Sequence, residues 1–168
     1  MRYVTYNDLN NQLIGVENIS KCYNNPVIVL LSHKHEEVSF ILKIKEFFDV
    51  QGIDIKIDWL DPDMNQVTIE ETTYKIRQYI RNSDKFILIA SESSKQSLWI
   101  PWELGFADGV KGLIDIAILP ITYNENKWKD REYYNIYDFL RYDEYERLSL
   151  CNHEGLRIMS LIQWINKK

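Results

Sequence analysis

Three segments of the chain are apolar without interruption and rich in β-branched residues: Val27-Ile-Val-Leu-Leu31, Phe86-Ile-Leu-Ile-Ala90 and Ile116-Ala-Ile-Leu119. Runs of this kind and length predict strands buried on both faces. A fourth segment alternates, with Ile53, Ile55 and Ile57 set between Asp54, Lys56 and Asp58. That predicts a strand with one wet face, near a sheet edge. Helical spacing fills the intervals. Val38, Ile41, Leu42, Phe47 and Phe48 predict a helix over 36–51, stopped by Gly52. Thr68 and Glu71 form a capping box ahead of a helix whose face is Ile69, Thr73, Ile76 and Ile80. A third helix begins within Ser97–Gly112, and Pro120 closes the strand that follows. Ile158, Leu161, Ile162 and Ile165 predict a final helix over 154–166. Between residues 122 and 141 the pattern gives aromatic-rich connections and one short last strand.

Strand and helix in alternation imply an α/β fold, with a central parallel sheet of about five strands and helices on both faces. Ligands in such sheets sit beyond the carboxyl ends of the strands. That rule selects the loops Ser32–His35, Trp59–Val67 and Ser91–Ser97, and the chain after Pro120. Residues 1–25 read as an N-terminal extension ahead of a domain over 26–168. In the extension, Thr5 and Asp8 cap a short helix carrying Tyr6, Leu9 and Leu13, and Asn24-Asn25-Pro26 is a turn.

Composition narrows the classes. Of 168 residues, 45% are hydrophobic and 13% aromatic, ample for a folded core. A net charge of -5 without a Lys/Arg-rich run argues against nucleic acid and against a membrane-surface helix. No apolar run is of spanning length, and no signal-peptide pattern opens the chain. Cys22 and Cys151 are far apart, so they read as free thiols in a reducing, cytoplasmic setting.

Most motifs that could carry chemistry fail on inspection. Asp61-Pro-Asp63-Met-Asn65 opens like a calcium loop but has Gln66 where Gly is required and Thr72 where a bidentate Glu is required. His33 and His35 lack a third ligand at metal spacing, and loop histidines of this kind are as a rule solvated. Neither a GxGxxG nor a Walker sequence is present, and no serine elbow. No cofactor and no metal is expected.

Glu103 stands apart. It sits in Ser97-Leu-Trp-Ile-Pro-Trp-Glu-Leu-Gly-Phe, directly after Trp102 and four residues after Trp99. With Ser97 as the cap, Pro101 falls in the first turn, where a missing N–H costs little, and Trp99 and Glu103 share one face. The helix dipole is expected to favour the ionised acid. A carboxylate beside a flat aromatic wall suits cleavage of an N-glycosidic bond. It can stabilise the oxocarbenium-like state and hydrogen-bond the ribose hydroxyls, while indole excludes water. A nicotinamide leaving group, cationic in the substrate and neutral on departure, needs no strong general acid.

The segments VIVLLSHKHEE, DWLDPDM, SDKFILIASESS and WIPWELGFADGVKG together resemble a bacterial TIR (Toll/interleukin-1 receptor) domain over roughly Val27 to Pro120. The likeness extends to the stand-alone TIR proteins of anti-phage (Thoeris-like) defence. It implies a flavodoxin-like sheet and an NAD+ glycohydrolase or ADP-ribosyl cyclase, with NAD+ as substrate rather than cofactor. By position, Glu103 resembles the catalytic glutamate and Trp99 the aromatic of the WxxxE pair. Ser32 and His33 match the substrate-bordering loop after the first strand, which here lacks the Asp that many members carry soon after the serine. Asp58, Trp59 and Asp61 match the loop that shapes the pocket and mediates self-association, and Ser91 and Ser94 the loop leading to the catalytic helix. The resemblance also implies TIR–TIR contacts and a separate effector reached through the product. Two alternatives remain. ELGFADG also resembles nucleoside deoxyribosyltransferases, and many TIR domains are adaptors without activity, although those lack the acid.

Overall fold

The computed structural model describes residues 1–11, 27–34, 38–50, 53, 55–57, 68–129 and 131–167. In chain order its elements are β1 (Val4–Thr5), α1 (Tyr6–Asn11), β2 (Val29–Ser32), α2 (Val38–Val50), β3 (Ile55–Lys56) and α3 (Ile69–Asn82). There follow β4 (Lys85–Ala90), α4 (Trp99–Lys111), β5 (Ile116–Thr122), β6 (Asp138–Tyr142), β7 (Leu148–Cys151), β8 (Arg157–Ser160) and α5 (Leu161–Asn166). The strands lie in one sheet of order β3-β2-β4-β5-β6-β7-β8, with β1 beside β5.

β3, β2, β4, β5 and β6 are mutually parallel. Taken in chain order they stand second, first, third, fourth and fifth, which is the flavodoxin-like doubly wound arrangement. The alternating strand, β3, is at the edge as its wet face predicts. Successive residues of each buried strand point to opposite faces. Val29, Leu31, Ile87, Ile89, Leu119 and Ile121 pack with the apolar stripes of α1, α2 and α5. Leu30, Phe86, Leu88, Ala90, Ile116 and Ile118 pack with α3 and α4 on the other side. Continuous apolar runs are what a strand covered on both faces requires.

Several expectations are corrected. In α2, Leu42 is exposed and Ile44 takes its place in the core; in α3 only Ile76 and Ile80 are buried, and Ile69 faces solvent. β5 runs through Pro120 to Thr122. β6 pairs with its amino half (Ala117, Ile118) and β1 with its carboxyl end (Ile121, Thr122). Pro120 lies between, in register with neither, so its missing N–H breaks no bond toward that side. The final helix is shorter than expected. A turn closed by Gly155, at a φ of 87°, sends residues 157–160 back as β8, antiparallel to β7. Helix α5 starts only after Ser160, whose side chain and that of Gln163 form a capping box. Gly52, His35 and Cys22 lie outside the described residues.

Residues 1–11, expected to stand outside the core fold, belong to it. Val4 and Leu9 are buried in the cluster beneath α2. The anticipated cap is formed, with Thr5 N–H donating to Asp8 Oδ2 at 2.8 Å and Asp8 N–H to Thr5 Oγ1 at 3.1 Å.

The turn between β6 and β7 is held by Asp143. Its buried carboxylate accepts from the backbone of Tyr145 and Arg147 and from Ser149, and lies 3.3 Å from Arg157 Nε. Burial pushes this carboxyl up, but those N–H donors, the Ser149 hydroxyl and the Arg147 charge outweigh it and hold it below the usual carboxylate range. A depressed folded-state value means stability that is present above the unfolded value of about 4 and lost as pH falls through the folded one. Asp143→Asn is therefore expected to flatten the loss of stability as pH falls below about 4, measured by urea titration at each pH. An unchanged slope would refute this role.

Candidate active site

The crevice of a doubly wound sheet opens where successive connections pass to opposite faces, here between β2 and β4. β2 ends there in Ser32, opposite Leu88 of β4. α4 descends from the loop after β4 and lays a stripe of Ile100, Glu103, Leu104 and Ala107 on the sheet. That is the i, i+3, i+4, i+7 spacing of a core-facing helix. Glu103 thus occupies a position where the pattern calls for Leu, and it is only 3% exposed. The Ser32 hydroxyl donates to Glu103 Oε2 at 2.6 Å. A carboxylate in this position costs desolvation free energy that the hydrogen bond offsets in part.

The start of α4 is set by Ser97, whose Oγ accepts from the N–H groups of Trp99 and Ile100, both at 3.3 Å. Pro101 falls in the first turn as expected. Glu103 lies past it, for the first turn holds no acid. Since the helix dipole acts within that turn, the expected dipole stabilisation of the acid is withdrawn.

Trp99 is one turn above Glu103 and 36% exposed. Its ring meets Trp102 edge to face at 5.7 Å, and Trp102 stacks on Phe106 at 6.0 Å. Arg77 and Arg81 of α3 lie over these rings. This ladder fixes the orientation of the Trp99 indole, one helical turn from the acid. His33 corrects the expectation of a solvated loop histidine: it is 3% exposed, with Nδ1 at 3.2 Å from Leu31 O. Ser91 and Ser94 are buried and bonded to each other. Ser91 N–H donates to Ser94 Oγ at 3.0 Å, Ser94 N–H to Ser91 Oγ at 3.2 Å, and Ser94 Oγ to Ser91 O at 2.8 Å. These bonds shape the loop that delivers α4. Asp58, Trp59 and Asp61 lie outside the described residues.

One contributor had no sequence signal. Tyr6 stacks on Tyr123 at 4.5 Å and packs against Phe40 at 5.4 Å, and its hydroxyl accepts from Glu92 N–H at 3.4 Å. One side chain so joins the segments that follow β2, β4 and β5. No local pattern marks an aromatic residue for contacts this distant in the chain.

A doubly wound α/β sheet with a buried acid at its switch point defines a protein whose polar site lies at the carboxyl edge. The TIR domain family matches residues 29–150, most of the chain, and the protein belongs to that family. Over 117 residues it is 30% identical to a Bacillus cereus (strain MSX-D12) protein named "Probable 3' cyclic ADP-D-ribose synthase ThsB'". The aligned stretch covers 67% of this chain and 59% of that protein, so the chain spans less than two thirds of its relative. No helix among the described residues is long and apolar enough to cross a membrane.

Proposed function

We propose that this protein cleaves the nicotinamide–ribose bond of NAD+, yielding ADP-ribose or a cyclic isomer that serves as an anti-phage signal. The observation that carries the reading is Glu103, an acid in a core position of α4, hydrogen-bonded to Ser32 at the switch point. Burial of that carboxylate adds nothing to packing that Leu would not add better, so its use is chemical. The name of the relative supports the substrate and the product class.

In the proposed reaction the bond from the anomeric carbon to the pyridinium nitrogen breaks, and its electron pair neutralises nicotinamide. The Glu103 carboxylate faces the positive charge that develops on the sugar and accepts from a ribose hydroxyl. Ser32 positions the carboxylate. Trp99 walls the sugar from water, and His33 borders it. Attack by water gives ADP-ribose, and attack by a nucleophile within the ADP-ribose half closes a ring. The loop with Asp58, Trp59 and Asp61 completes the pocket and serves self-association, while Ser91 and Ser94 keep the approach to α4 in shape. The signal acts on a separate effector in the cytoplasm.

Ser32→Ala removes one hydrogen bond to a buried charge, worth about 1.5–3 kcal/mol, so kcat is expected to fall roughly 10- to 100-fold. Nicotinamide release followed by mass spectrometry measures it. A rate equal to wild type would remove Ser32 from the site. Release of free base from nucleosides at a rate above that from NAD+ would favour the deoxyribosyltransferase-like reading instead.

A further inference from the structure

The face of the sheet that α4 covers over β2, β4 and β5 is covered near β6 by the connection that follows β5. Tyr134 and Tyr137 of that connection join the core with Phe139. A cleft of about 510 Å³ remains, lined by Tyr3, Trp128, Lys129, Arg131, Arg141 and His153 among others. It adjoins a second cleft of about 760 Å³, which shares Tyr3, Trp128 and Lys129 and reaches Lys95 and Lys127. Either volume suits a small ligand.

The charge of this region opposes that of the protein. Against a net charge of -5, the described residues lining the two clefts include five Lys or Arg and two acids, Glu92 and Glu132. Lys95 pairs with Glu92 at 2.7 Å. Arg141 is the inner cation. Its guanidinium lies 4.3 Å from the Tyr3 ring centre and 5.3 Å from that of Phe139, and the Gly155 turn closes on Nη1. Stacking satisfies none of the five N–H donors, which point from the edge of the plane. Nε is buried and meets no hydrogen-bond partner among the described residues, and no carboxylate there pairs with Arg141. A guanidinium held flat by rings in the lining of a cationic cleft, with no carboxylate partner among the described residues, can take an oxyanion there. Trp128, half-buried and stacked on Tyr134 at 6.2 Å, supplies a fixed aromatic wall beside it.

We propose that this cleft is a second ligand site that takes a nucleoside phosphate, its phosphate on Arg141 and Lys129 and its base or sugar against Trp128. The cleft around Arg141 shares no lining residue with the Ser32, Trp99 and Glu103 site. It does not depend on the proposed cleavage reaction. A short cleft with a fixed aromatic wall fits a nucleotide better than an extended acidic peptide.

Calorimetry of the full chain carrying Glu103→Gln, which is expected to suppress turnover, reads the site with ADP, adenosine and inorganic pyrophosphate as probes. ADP is expected to bind more tightly than either other probe and to weaken as salt rises. Its affinity is expected to fall about tenfold or more in Arg141→Gln and several-fold in Lys129→Glu. Lys129 is exposed, so that variant keeps the test open should Arg141→Gln fail to fold. ADP binding of unchanged affinity and stoichiometry in Lys129→Glu, or adenosine binding as tightly as ADP, would overturn the proposal. Equal binding of pyrophosphate and ADP would overturn the nucleoside assignment. These results leave the reading of Glu103 untouched, because that rests on nicotinamide release.

Discussion

Glu103→Gln is expected to reduce nicotinamide release by on the order of a thousandfold while the fold persists. The magnitude follows from the charge. A carboxylate about 4 Å from a developing cation, at an effective dielectric of about 20, contributes about 4 kcal/mol, close to three powers of ten in rate. Gln has nearly the same shape, and its carbonyl oxygen can still accept from Ser32 Oγ. Packing around Ile100, Leu104 and Ala107 is then preserved. Removal of a buried charge also relieves its desolvation cost, so the melting temperature is expected to stay level or rise. Quantification of nicotinamide over a time course, beside a thermal melt of each protein, separates the two effects. A variant that melts like wild type and still releases nicotinamide at the wild-type rate would end the enzymatic account. The chain would then be a TIR interaction module.

Deletion of residues 1–11 is expected to cost about 3–6 kcal/mol, a large share of the 5–15 kcal/mol that holds a typical domain. Val4 and Leu9 are both buried against the α2 face of the sheet, and each contributes about 1.5–3 kcal/mol. The pairing of β1 with the carboxyl end of β5 is lost as well, with the ion pairs of Arg2 to Asp8 and Glu146 at 2.8 and 2.6 Å. Tyr6 goes with the segment, and with it the contacts to Phe40, Glu92 N–H and Tyr123 at the ligand edge. Urea unfolding of the shortened chain measures the loss. An unchanged midpoint would mean that the segment is a true extension after all.

These two experiments bear on what each level of description can supply. The core strands were readable because a strand buried on both faces must be apolar at every position, and few other elements of five residues are. The capping boxes at Thr5–Asp8 and Thr68–Glu71 were readable because both partners lie within four residues. The end of the chain was not. Ile158, Leu161, Ile162 and Ile165 fit a helical stripe, yet Ile158 is exposed on β8, because the Gly155 turn offered residues 157–160 a strand partner in β7. Sequence periodicity cannot weigh a hydrogen-bonded ladder against a helix when the ladder's other half is distant or unrecognised.

For the site the division is similar. The chain by itself determined that an acid would sit four residues after Trp99 on a helix entering from the carboxyl edge, since the alternation of strand and helix, the Ser97 cap and the helical repeat are legible in local sequence. Only the tertiary structure decided that this acid lies in the buried stripe, meets Ser32 across 71 positions of sequence, and has Tyr6 joining the surrounding loops. It also decided that Arg141 lies flat against Tyr3, in the lining of a cationic cleft. Contacts of that range depend on which strands become neighbours. That choice is made by burial of the whole sheet and leaves no trace in the spacing of nearby residues.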